Sequence, residues 1–125
     1  MSKNVIVINL IQKLGKFTDL WSPKIITELN DTYVKLAKVR GEYVWHKHDH
    51  EDELFFVISG VLKIKLREKL LELQPGELVV IPKGVEHCPV AESEVSIMLI
   101  EPKSTLSTGD SKKIGDKKTT HGEWI

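Results

Sequence analysis

The alternation in Leu62-Lys63-Ile64-Lys65-Leu66-Arg67 does most to limit what this chain can fold into. A period of two places Leu62, Ile64 and Leu66 on one face and three cations on the other, which suits a half-buried strand and not a helix. From Tyr33 onward the same pattern of short apolar or alternating runs continues, broken by Gly60, Gly76 and Gly84, with Pro75 and Pro82 beside two of them. It predicts strands over roughly 33–40, 42–48, 53–59, 62–68, 70–73, 78–81, 86–91 and 95–101. Many short strands with no helical pattern between them imply an all-β sandwich or barrel.

Three runs, Leu54 to Ile58, Leu78 to Ile81 and Ile97 to Ile100, are apolar on both faces and need cover on the outside. A second sheet, the N-terminal segment or a partner subunit would each provide it. Leu10, Ile11, Leu14 and Phe17 recur at helix-like spacing, which makes residues 1–32 a short helical or extended arm packing on the barrel. Ser22-Pro23 opens an extended stretch through Ile25 and Ile26 suited to pairing with a sheet edge. The surplus apolar surface also leads us to expect a homodimer, with intramolecular cover as the rival. The barrel itself is expected at 33–102, and 103–125 reads as a polar, solvated segment whose terminal Trp124-Ile125 pair can still dock onto the body.

With 125 residues, one domain is expected. Eighteen basic and 18 acidic residues balance, so no basic field points to nucleic acid or an anionic membrane. The lysine pairs Lys112-Lys113 and Lys117-Lys118 are too sparse to change that. Cys88 is the single cysteine, which rules out an internal disulfide and fits a reducing cytosol. Apolar stretches fall far short of the roughly 20 residues a membrane helix needs. The start, Met1 to Ile8, lacks a convincing secretory signal, so a cytoplasmic protein is expected.

His46-Lys47-His48-Asp49-His50-Glu51-Asp52-Glu53 carries the chemistry. On a strand, His46 and His48 project to the same side, and Glu53 lies across a hairpin from them. Its partners on the inner face would be Phe55 and Val57, with Leu54, Phe56 and Ile58 outside. His87 follows Gly84 at the start of another short strand. Imidazoles and a carboxylate suit borderline divalent metals, so the four would make a metal cage. The plainer readings are a solvated acidic loop for 46–53 and a core histidine bonded to backbone for His87. Cys88 should point away from any such centre, as a small buried or interface residue.

These residues resemble a small single-domain cupin. The family's first motif matches Gly41, His46, His48, Glu53 and Gly60, and its second matches Gly76, Pro82, Gly84 and His87. Two positions depart: Gly41 stands one residue closer to His46 than usual, and Ala91 replaces an asparagine. The resemblance covers about residues 33–101 and implies a jelly-roll β-barrel with one divalent metal held by His46, His48, Glu53 and His87. Zinc, iron, manganese, nickel and cobalt all suit three neutral imidazoles and one carboxylate.

His50, Glu51 and Glu86, with Asp49, lie near the expected mouth and are the candidate acids and bases. His50 would also serve as an alternative ligand if the hairpin turned differently. Inward positions beyond the ligands read as apolar (Val44, Phe55, Val57, Leu62, Ile64), whereas Lys63, Lys65 and Arg67 face outward. That suits a small, partly apolar ligand and counts against a sugar phosphate. The expected function is a metal-dependent enzyme on a small organic molecule, of isomerase, lyase or dioxygenase type. The alternative is a non-catalytic metal-dependent binding or sensor module. No helix-turn-helix segment is read, so sequence-specific DNA binding is not expected.

Overall fold

The computed structural model describes residues 5–125, so the expectations for Met1 to Asn4 lie outside the described residues. Among the described residues one short helix, α1 (Leu10–Leu14), precedes eight strands: β1 (Lys24–Leu29), β2 (Thr32–Glu42), β3 (Glu53–Ser59), β4 (Leu62–Lys65), β5 (Leu70–Leu73), β6 (Leu78–Ile81), β7 (Cys88–Pro102) and β8 (Glu123–Trp124). All pairings among them are antiparallel except β1 with β8. The result is the expected all-β jelly roll with an N-terminal arm.

The organising element is β7. Sequence patterning suggests two strands, 86–91 and 95–101, but 88–102 is one continuous strand. Along one side it pairs with β2 over nearly its whole length; along the other it pairs first with β4 and then with β3. The exposed Glu92-Ser93-Glu94 is what the pattern reads as a break. In the structure these residues form a bulge opposite Arg40, where the register with β2 shifts between Val39 and Gly41. A bulge bends a strand and sharpens its twist, so β7 can serve both halves of the barrel. Gly60 turns β3 into β4 against this bulge. At φ +85°, a Cβ there would lie 2.9 Å from the Glu94 carbonyl, so only glycine fits.

Inside the barrel Val39, Val57, Leu62, Ile64, Val95 and their neighbours form one buried cluster. Strand β3 alternates as expected: Glu53, Phe55 and Val57 are buried, while Leu54, Phe56 and Ile58 are half-buried on the other face. A second cluster of Phe17, Ile26 and Leu36 lies under the arm, joined by Leu10, Leu14, Ile58, Met98 and Ile125. Part of the outer apolar face is therefore covered by the chain itself. Asn9 caps α1, its side chain accepting from the Gln12 amide at 3.0 Å. Among the described residues, no helix is long and apolar enough to cross a membrane.

Two further expectations are overturned. Residues 42–48 are not a strand beyond Glu42. His46 alone forms an isolated bridge, with His87. The cause lies in the C-terminal segment: Asp110 accepts from the Lys47 amide at 2.8 Å, and its own amide donates to the Lys47 carbonyl at 3.1 Å. Backbone committed to a loop cannot also join a sheet ladder. By the same contacts, 103–125 is not a solvated tail. Thr105 and Thr108 are fully buried, and β8 docks beside β1, with the Ile125 amide donating to the Ile25 carbonyl at 3.1 Å.

Candidate metal centre

The two segments that carry the histidines are locked face to face. The His46 amide donates to the His87 carbonyl at 3.0 Å, and the His87 amide returns the bond at 2.9 Å. The Gly84 amide donates to the His48 carbonyl at 2.8 Å, which ties down the other end. Glu53 opens β3, opposite Ile81 of β6, and points inward by strand alternation.

These elements bring His46, His48, Glu53 and His87 together, all buried, each offering a ligand atom within 4.8 Å of the others. Glu53 Oε1 lies 3.4 Å from His48 Nε2 and 3.3 Å from His87 Nε2. Donors about 2.1 Å from a common ion stand roughly 3.0 to 4.2 Å apart, and both Glu53–histidine distances fall in that range, as a shared metal requires. The ring orientations agree. His46 Nδ1 donates to the Val44 carbonyl at 2.8 Å and His87 Nδ1 to the Val85 carbonyl at 2.9 Å, which leaves each Nε2 lone pair free. The backbone bond expected of a core histidine is thus present at His87, but it employs the outer nitrogen.

Six buried side-chain atoms lack a hydrogen-bond partner among the described residues: Tyr43 Oη, His48 Nε2, Glu53 Oε1, His87 Nε2, Glu101 Oε2 and Thr105 Oγ1. Buried polar groups are ordinarily paired, so three such atoms converging on one point call for a ligand. The electrostatics favour a cation. Burial, then the neighbouring His87, push His46 down to about 4, so its imidazole is neutral at pH 7. Burial alone would raise the Glu53 carboxyl, but its polar neighbours Glu101, His48 and His87 outweigh it and hold it well below the usual range. A neutral imidazole and an ionised carboxylate are the forms a metal takes.

The candidate acids and bases are not among the four clustered side chains. His50 is exposed, Glu51 accepts from Ser104 Oγ at 2.7 Å, and Glu86 is exposed in an ion pair with Arg67 at 3.0 Å. Asp49 pairs with Lys47 at the surface. Cys88 is buried and points away, its thiol pushed up to about 11 by burial and then by Glu42.

What sequence reasoning missed is a second pair of charges inside the barrel. Lys35 Nζ donates to Glu101 Oε1 at 2.7 Å, with both side chains at most 2% exposed. Burial and the Glu53 charge push the Glu101 carboxyl well above its usual range, against the pull of Lys35. The available signal was parity: Lys35 shares a strand face with Ala37 and Val39, and Glu101 shares one with Ile97 and Leu99. Beside the centre lies a cavity of about 40 Å³. Ala37, Val39, Phe55 and Leu99 wall it, with His46, Glu53, Glu101, Tyr43 and Ser107 as its polar members.

The comparisons with known proteins agree with this architecture. The Cupin_2 family model, a cupin domain, matches residues 33–102, and the chain belongs to the cupin family. It resembles a cupin-2 domain containing protein from Shewanella frigidimarina, at 52% identity over 77% of this chain and 94% of that one, with a TM-score of 0.76. Protein NMB1881 from Neisseria meningitidis is 33% identical over 78% of this chain and 99% of that one, with a TM-score of 0.72. The uncharacterized protein YdbB of Bacillus subtilis is 44% identical over 63 residues, half of this chain. The chain spans 56% of that relative's length.

Proposed function

We propose that His46, His48, Glu53 and His87 hold one divalent metal ion, and that the protein is a metal-dependent enzyme acting on a small organic molecule. Reactions of isomerase, lyase or dioxygenase type suit the site. The observation that carries this reading is the convergence of three unpartnered buried atoms, His48 Nε2, Glu53 Oε1 and His87 Nε2. A divalent ion with four protein ligands and open positions supplies Lewis-acid polarisation of a bound oxygen. The chain's own groups supply the rest. Val44 and Val85 carbonyls hold two imidazoles in their ligating tautomer, and the apolar walls exclude bulk water from the ligand's carbon skeleton.

A second reading is favoured by the outward placement of His50 and Glu86. In a non-catalytic binding module, the same centre would capture a ligand without turning it over.

Elemental analysis of protein purified without tag or chelator tests the metal. About one equivalent is expected. The His48→Ala variant should lose affinity by more than the 10–100-fold typical of changes to groups that merely orient ligands. Metal at 100 times its dissociation constant should stabilise the wild type by about 2.7 kcal/mol, and His48→Ala much less. His50→Ala should keep its metal. Unchanged metal content in His48→Ala would refute the assignment.

A further inference from the structure

Residues 46–48 carry two of the four clustered side chains, and their backbone is held from both sides. On one side the His46 amide and carbonyl bond to His87 at 3.0 and 2.9 Å, and the His48 carbonyl accepts from the Gly84 amide at 2.8 Å. In extended backbone the polar groups of the residue between them point the opposite way. There the C-terminal segment meets them. The Asp110 side chain accepts from the Lys47 amide at 2.8 Å, and the Asp110 amide donates to the Lys47 carbonyl at 3.1 Å. Asp110 thus stands where a neighbouring strand would.

The chain around Asp110 is shaped for this approach. Gly109 has φ +52°, and a Cβ there would collide with the Lys47 carbonyl and crowd the His46 ring, so glycine lets the two segments meet. Thr105 and Thr108 are fully buried, and the segment closes on itself, the Ser107 amide donating to the Thr120 carbonyl at 2.9 Å. A second tie to the ligand loop runs from Ser104 Oγ to Glu51 at 2.7 Å.

We propose that Asp110 is a positioning residue for the metal centre, and that docking of the C-terminal segment and metal binding reinforce each other. The proposal rests on the metal reading. His46 and His48 share a face only while 46–48 stays extended. A loop free to bend at Lys47 would have to be ordered as the ion binds, and that entropy would be subtracted from the affinity. With Asp110 in place the ordering is complete beforehand. The Asp110 side chain is exposed and is not one of the four clustered groups, so it acts through the backbone of Lys47. Whatever factor docking adds to metal affinity, metal adds to docking.

The test titrates zinc into the full chain and two variants, with affinity read by chelator competition and docking read by amide hydrogen exchange in NMR. The wild type should take up about one equivalent. Asp110→Ala changes an exposed side chain and should fold, but its zinc affinity should fall about tenfold, the lower end of the range for groups that orient metal ligands. Asp110→Asn keeps an acceptor oxygen for the Lys47 amide and should stay within about threefold of the wild type, the ionised acceptor making the stronger bond. Zinc should slow exchange of the Ser107 and Asp110 amides about tenfold in the wild type, and less than about threefold in Asp110→Ala. No zinc uptake by the wild type overturns the metal reading and this proposal with it. Uptake by the wild type with affinity unchanged in Asp110→Ala, or lowered equally in Asp110→Asn, overturns the proposal alone. So does exchange in the C-terminal segment that is indifferent to zinc.

Discussion

The Lys35–Glu101 pair allows a sharp prediction, because its two members should behave very differently singly and together. Both side chains are at most 2% exposed and the contact is 2.7 Å, so neither group recovers water if its partner is removed. Glu101→Leu would leave an ammonium among Ala37, Val39 and their neighbours with no counter-charge. Breaking a buried pair from one side typically costs about 3–5 kcal/mol. At roughly 3–5 °C per kcal/mol for a domain of this size, the melting temperature should fall by about 10–20 °C. Replacing both, as Lys35→Met/Glu101→Leu, removes the orphaned charge and fills the space with carbon. That change is often neutral or stabilising by about 1–4 kcal/mol. Urea unfolding at pH 7 in the presence of a chelator, followed by circular dichroism, measures both without interference from metal. A loss under about 1 kcal/mol for Glu101→Leu would refute the reasoning, and so would a double variant as unstable as the single.

The metal-free protein should lose stability in acid. His46 titrates near 4 when folded and about 6.5 when unfolded, so below 6.5 the unfolded chain binds the extra proton. Its contribution, about 3 kcal/mol, should be complete above pH 6.5 and disappear by about pH 4; a flat profile across that window in His46→Gln would confirm the source. Gly109→Ala should loosen the C-terminal segment, because a Cβ there collides with the Lys47 carbonyl. Limited proteolysis should then cut within 103–125 before the barrel, and an unchanged cleavage pattern would argue against a fitted strap. The homodimer expected from surplus apolar surface should use β6, whose outer Leu78 and Val80 are 58% and 45% exposed on a strand that, among the described residues, pairs only with β3. Sedimentation showing only monomer at micromolar concentration would remove that expectation.

Much of this architecture was legible in the residues. Alternation in β4 and the inward series Glu53, Phe55 and Val57 emerged with the right faces, because a period of two leaves little choice once one face is buried. The four clustered side chains were legible for a related reason: their spacing places them in short segments that the His46–His87 bridge and the pairing of β3 with β6 bring together. Other features depend on distant partners. Nothing between Tyr43 and Lys47 announces that Asp110 will take up the Lys47 backbone, so the segment reads as a strand. Composition likewise makes 103–125 look solvated, although two threonines in it are fully buried. Lys35 and Glu101 escaped notice because each alone looks like a surface charge, and only the pairing of β2 with β7 makes them neighbours.

The span of β7 also shapes how the protein acquires its fold. Strands β2, β3 and β4 all take it as a partner, so none of the three completes its hydrogen bonding until residues 88–102 are available. During synthesis β2, β3 and β4 therefore wait with one edge each unpaired, their other edges served by β1, β6 and β5, a state prone to association. Contacts of such long sequence separation place the domain among slow folders. His87 directly precedes β7 and is the last of the four clustered side chains in chain order, so the centre is assembled only when the barrel closes. A cation arriving earlier would meet two histidines and a glutamate on a floppy segment.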